Sequence, residues 1–109
     1  LVEEARRRRE VFENLREYLR IILETIREID ENAEVYLFGS VAEGRHLISS
    51  DIDILVVSSR KTQEIIPKLW ERGIQDPFEI HVVTRDKLEL YARRSKLVKI
   101  EDIVAQTNT

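Results

Sequence analysis

Phe38-Gly39-Ser40, ten further residues, and then Asp51-Ile52-Asp53 form the stretch on which the fold and the chemistry turn. Val35 to Phe38 reads as a buried strand that stops at Gly39, and Ile52 to Val57 as a second strand, almost continuously apolar after its acidic start. Such an apolar run predicts a central strand covered on both faces. Alternation along a strand puts Asp51 and Asp53 on one side and Ile52, Ile54 and Val56 on the other. Two carboxylates side by side repel each other, and a fold retains such a pair mainly when something cationic lies between them. Gly39 permits a tight turn and close approach of a ligand to the backbone. A helix beginning just after it would aim free N–H groups toward Ser40, where phosphate oxygens could be held. If the two strands are antiparallel neighbours, turn and carboxylates share one rim of a sheet.

Downstream, Thr62 to Arg72 is a helix candidate stopped by Gly73, with Pro67 awkwardly inside it. Phe78 to Val83 is a third strand, on which Glu79 and His81 leave by the polar face. The link from strand two to strand three holds a helix, which favours a parallel crossover and brings Asp53 and Glu79 to the same end. His81 reads as a structural or rim residue, and Trp70 and Tyr36 as core. Thr84 is positioned to cap a last helix with Leu88, Tyr91 and Ala92 inward. Leu97 to Val104 is ambiguous, and residues 105–109 read as a frayed tail.

Upstream, Val11, Leu15, Leu19, Ile22, Ile26 and Ile29 share one face, predicting one long helix over residues 1–31. The Arg6 to Arg9 run reads as a solvated helix face paired with Glu3 and Glu4, projecting from the body or meeting something else. The reading is a single α/β (α+β) domain over residues 1–109, with a small three-stranded mixed sheet flanked by helices.

Composition narrows the chemistry. With 109 residues, 42% of them hydrophobic, one core can form. The net charge of −3, spread over mixed signs, gives no global pull toward nucleic acid or membrane. There is no cysteine and only two histidines, so a metal would be held by carboxylates, which suits a hard cation. No apolar run approaches the roughly 18 residues of a membrane span, and a cytoplasmic location is expected.

The Gly-Ser, ten-residue spacer and Asp-x-Asp pattern resembles the signature of the DNA polymerase β-like nucleotidyltransferases. Phe38 before the Gly, Ala42 and Gly44 in the spacer, and Ser50 before the first Asp match the minimal nucleotidyltransferase subgroup, over roughly residues 33–84. The resemblance implies two Mg²⁺ ions held by Asp51, Asp53 and, by position, Glu79. It implies a triphosphate, with ATP expected, held by Gly39 and Ser40 and flanked by Gly44, Arg45, His46 and Ser50. It further implies transfer of AMP to a hydroxyl acceptor supplied by another protein. In the resembled subgroup that partner is a HEPN-type helical toxin, with the nucleotidyltransferase as its antitoxin; a homo-oligomer is the other arrangement. Val41 and Glu43 stand where relatives often carry Arg, which supports the alternative reading of a nucleotide- or partner-binding module.

Overall fold

The computed structural model describes residues 2–45, 47 and 49–106. In chain order the elements are α1 (Val2–Glu13), α2 (Leu15–Ile29), β1 (Glu34–Phe38), α3 (Gly39–Ala42), β2 (Ile52–Val57), α4 (Thr62–Glu71), β3 (Phe78–Val83), a 3₁₀ turn (Arg85–Lys87), α5 (Leu88–Arg94), β4 (Val98–Lys99) and α6 (Ile100–Ala105). The strands form one mixed sheet in the order β3-β2-β1-β4, with β1 antiparallel to β2 and β4 and with β3 parallel to β2.

The sheet has two unlike faces. Val35, Leu37, Ile52, Ile54, Val56 and Phe78 point into a dry layer with Val11 of α1, Leu19, Ile22 and Ile26 of α2, Ile65 and Leu69 of α4, and Ile100 of α6. Each of these side chains contributes roughly 1.5–3 kcal/mol by leaving water. Tyr36, Phe38, Leu55 and Val57 form a smaller cluster on the opposite face, covered by Leu88 and Tyr91 of α5 and by Leu97. Burial on both faces explains the unbroken apolar run of β2.

Five expectations need correction. The sheet has four strands, since Val98–Lys99 pairs with Leu37 and Tyr36. The N-terminal helix is broken at Asn14, whose Nδ2 donates to the Glu10 carbonyl (2.9 Å) and competes with the helical ladder. Trp70 is 60% exposed, because Ile65 and Leu69 carry the buried stripe of α4 and the next residue turns about 100° away from it. Ala92 is exposed, leaving Leu88 and Tyr91 as the inward residues of α5, and Ala105 is the last residue of α6 rather than frayed. Positions 107–109 of the expected tail lie outside the described residues.

The end of β2 is tied to α2 through Asp30. Its carboxylate accepts the Ser58 hydroxyl at 2.6 Å and the Asn32 N–H at 3.0 Å, and these bonds hold its pKa below the usual aspartate value, the Ser58 bond most strongly. A lowered folded-state pKa stabilises above the unfolded value, near 3.9, and that contribution is lost as pH falls through the folded one. Asp30→Ala is therefore expected to lose about 1 kcal/mol at neutral pH. In denaturant melts across pH, the difference from the parent should close at strongly acidic pH. A gap that stays constant down to pH 2 would refute this role.

Candidate active site

The polar half of the open sheet face is where the predicted residues meet. In the register of β1, β2 and β3, Phe38 of β1 faces Asp53 of β2, and Asp53 faces Glu79 of β3. Both acids lie at the first turn of side chains on their strands, so the parallel crossover through α4 sets them abreast. One step along, Leu55 faces His81. The His81 imidazole comes within 3.5 Å of Asp53 Oδ1 and 3.7 Å of Glu79 Oε1 through Nε2. Its ring stands edge-on to Phe38, with centroids 5.1 Å apart, and to Tyr91 of α5, at 6.5 Å.

Burial pushes the Asp53 carboxyl above the ordinary aspartate pKa, and the neighbouring Glu79 charge pushes it further. The cluster thus carries more negative charge than its surroundings balance, the situation a bound cation relieves. The donors are hard carboxylate oxygens close together, and among the described residues Asp53, Glu79 and His81 bring one ligand atom each to within 4.8 Å of the others. This donor set fits a divalent cation.

Asp51 lies apart from that cluster, at the margin. Its Oδ1 is 3.5 Å from the Arg8 guanidinium of α1, which also donates to the Ser50 carbonyl at 3.0 Å. Asp51 remains near enough to raise the Asp53 pKa, although it contributes least of the causes. Arg7 beside it donates to the Gly73 carbonyl (2.9 Å) and to the Tyr18 hydroxyl (3.1 Å). Half of the basic run thus faces the protein: Arg8 keeps its pairing with Glu4, while Arg7 pairs with Glu10. The stretch before Val11 meets the rim of the site.

The turn after β1 is shaped around Asp53. Gly39 has φ +75°, and a Cβ placed on it would come to 2.5 Å from Asp53 Oδ2. Only glycine lets the backbone approach the carboxylate so closely. Ser40 occupies the first turn of α3, and its carbonyl accepts the Arg45 N–H (2.9 Å). Gly44 takes φ +72°. The Arg45 side chain pairs with Glu43 at 3.1 Å, and Ser50 Oγ accepts the Leu47 N–H at 2.9 Å, closing the loop that leads into β2. His46 lies outside the described residues.

His81 stands on the polar face beside Glu79, as its alternation along β3 predicts, and at the rim of the acids. Arg8 escaped the sequence reading and carried no signal, because it meets Ser50 from 42 positions away.

A sheet with these acids abreast beside a glycine-serine turn has the arrangement that the resemblance to nucleotidyltransferases leads one to expect. The family model for the nucleotidyltransferase domain matches residues 19–104, and the chain belongs to that family, within the polymerase β-like superfamily. Among solved structures it is similar to a protein from Sulfolobus solfataricus assigned as a nucleotidyltransferase, whose crystal structure was determined at 1.40 Å. The two share 26% identity with a TM-score of 0.56, over 90% of this chain and 83% of that one. No curated protein sequence matches. Among the described residues, no helix is long and apolar enough to cross a membrane.

Proposed function

We propose that this nucleotidyltransferase moves AMP from ATP to a hydroxyl on another molecule in a Mg²⁺-dependent reaction. The observation that carries this reading is the register alignment of Asp53 with Glu79, beside a glycine turn that contacts Asp53. Asp53 and Glu79 would hold the cation, and Asp51 would complete the set by turning in from its pairing with Arg8 at the margin. The two ions expected with the nucleotide would supply neutralisation of the charge on the attacking and leaving oxygens. Gly39 and Ser40 would bind the triphosphate and fix its α-phosphorus in line with the acceptor. Glu79 takes the acceptor proton as the oxygen–phosphorus bond forms, the bond from the α-phosphorus to its bridging oxygen breaks, and pyrophosphate leaves.

The face that carries these residues is covered only in part, by α5. An acceptor brought by a second protein has room to approach, and a HEPN-type helical toxin, with this chain as antitoxin, is the partner that the subgroup resemblance suggests. A second copy of this chain is the alternative. One observation favours a weaker activity or a nucleotide- or partner-binding module instead: Val41 is buried at 8% exposure and Arg45 is engaged by Glu43, so few cations are free to hold phosphates.

The test is incubation with α-labelled ATP, Mg²⁺ and the protein encoded beside it. Label on either chain, released pyrophosphate, and loss of both in Asp51→Ala/Asp53→Ala are expected. Nucleotide binding without transfer would leave the nucleotide-binding module, and no binding at all would leave only a partner-binding scaffold.

A further inference from the structure

We propose that Asp53, Glu79 and His81 together form a mixed oxygen–nitrogen site for a divalent first-row transition cation, with His81 as a direct ligand. The proposal rests on the reading of Asp53 and Glu79 as cation ligands and adds a nitrogen donor to a set otherwise made of oxygens.

Three observations carry it. First, His81 Nε2 is buried and makes no close hydrogen bond, its nearest polar neighbours being Asp53 Oδ1 at 3.5 Å and Glu79 Oε1 at 3.7 Å. Leaving such an atom unsatisfied costs about 1–3 kcal/mol. Second, the ring is not free to seek another partner. Phe38 and Tyr91 stand against it edge-on, and the in-register pairing of β3 with β2 fixes its backbone over Leu55. The Phe38–Tyr91 contact, at 5.6 Å and 85°, closes that aromatic bracket. Third, the ligand atoms of the three residues lie within 4.8 Å of one another. Ligands around a single ion at about 2.0–2.2 Å stand some 3–4 Å apart, so small side-chain rotations suffice to close the set.

A nitrogen donor changes which ion the site prefers. Mg²⁺ demands near-octahedral oxygen coordination and sheds water reluctantly, whereas imidazole suits Fe²⁺, Ni²⁺, Cu²⁺ and Zn²⁺, and Mn²⁺, although it favours oxygen, accepts a nitrogen ligand more readily than Mg²⁺. The site should therefore hold Mn²⁺ more tightly than Mg²⁺, while the polyphosphate can still bring Mg²⁺ with it.

Mn²⁺ added to the nucleotide-free protein gives a readout independent of transfer. Pulsed electron paramagnetic resonance on protein with ¹⁴N- or ¹⁵N-labelled histidine should show one directly bound imidazole nitrogen. The coupling should persist in His46→Asn, the chain's other histidine, and vanish in His81→Asn. By titration, His81→Asn should weaken Mn²⁺ roughly tenfold or more and leave Mg²⁺ within about threefold. Mn²⁺ that depends on Asp53 and Glu79 yet shows no nitrogen coupling in the unsubstituted protein would overturn this inference and leave the carboxylate reading intact. Mn²⁺ binding indifferent to Asp53→Asn and Glu79→Gln would overturn both. The coupling is measured on the unsubstituted chain, so the test survives a variant that folds poorly.

Discussion

Asp53→Asn is expected to lower label transfer by about 10³-fold while making the metal-free protein more resistant to heat. The two effects share one cause. The folded state raises the Asp53 pKa through burial and the nearby Glu79 charge, so ionised Asp53 works against folding at neutral pH. The sign follows from linkage. A carboxyl with a raised folded pKa has no such penalty below its unfolded value and acquires it as pH rises through the folded one. Asparagine keeps the shape and discards the charge, so Tm should rise at pH 7 and match the parent at acidic pH. Added divalent cation should raise the Tm of the parent and leave the variant unmoved, since only the parent gains binding energy in the folded state. A variant that transfers label at the parental rate would remove Asp53 from the chemistry. A variant that melts lower at neutral pH would mean that the carboxylate is held by favourable contacts instead.

Gly39→Ala should be the second most damaging change, and here activity and stability fall together. The φ of +75° is unfavourable for any residue with a Cβ, which costs about 1–2 kcal/mol on its own. The new methyl would also sit 2.5 Å from Asp53 Oδ2, and the side-chain end is the part able to move. It would push the carboxylate off the turn and out of its place beside Glu79 and His81, so transfer should drop by about 10²-fold even in the fraction that folds. A double-substitution cycle separates the two causes. In an Asp53→Ala background the steric part disappears and only the backbone part remains, so Gly39→Ala should destabilise less there than alone. Equal destabilisation in both backgrounds would show that the turn is not built around Asp53.

Much of this was legible in the primary structure because strands alternate. The periodicity of β2 and β3 put Asp53, Glu79 and His81 on one face and Ile52, Ile54 and Val56 on the other, and the crossover through α4 set the two acids at one end. Gly73 ended α4 where the helix pattern stopped. What escaped has local reasons. β4 is two residues long and gains its identity only by lying against β1, so no periodicity exists to detect. Asn14 interrupts a helix whose hydrophobic face continues on either side of it, and the side-chain bond to Glu10 is invisible until the turn is built. Trp70 was assigned to the core by residue type, whereas its angular position on α4 decides its exposure. Arg8 reaches Ser50 and Asp51 across a distance that only tertiary folding closes.

The parallel pairing of β2 with β3 makes this chemistry a problem of alignment more than of composition. Asp53 and Glu79 come from strands joined by an intervening helix, and they stand abreast only because the ladder runs without offset from Ile52–Phe78 to Val57–Val83. Sliding β3 by one residue would turn Glu79 into the apolar layer and bring an isoleucine out in its place. The connecting segment is free to vary at exposed positions such as Trp70, while Ile65, Leu69 and Ile74, buried under the sheet, hold the crossover in the place that sets the acids abreast.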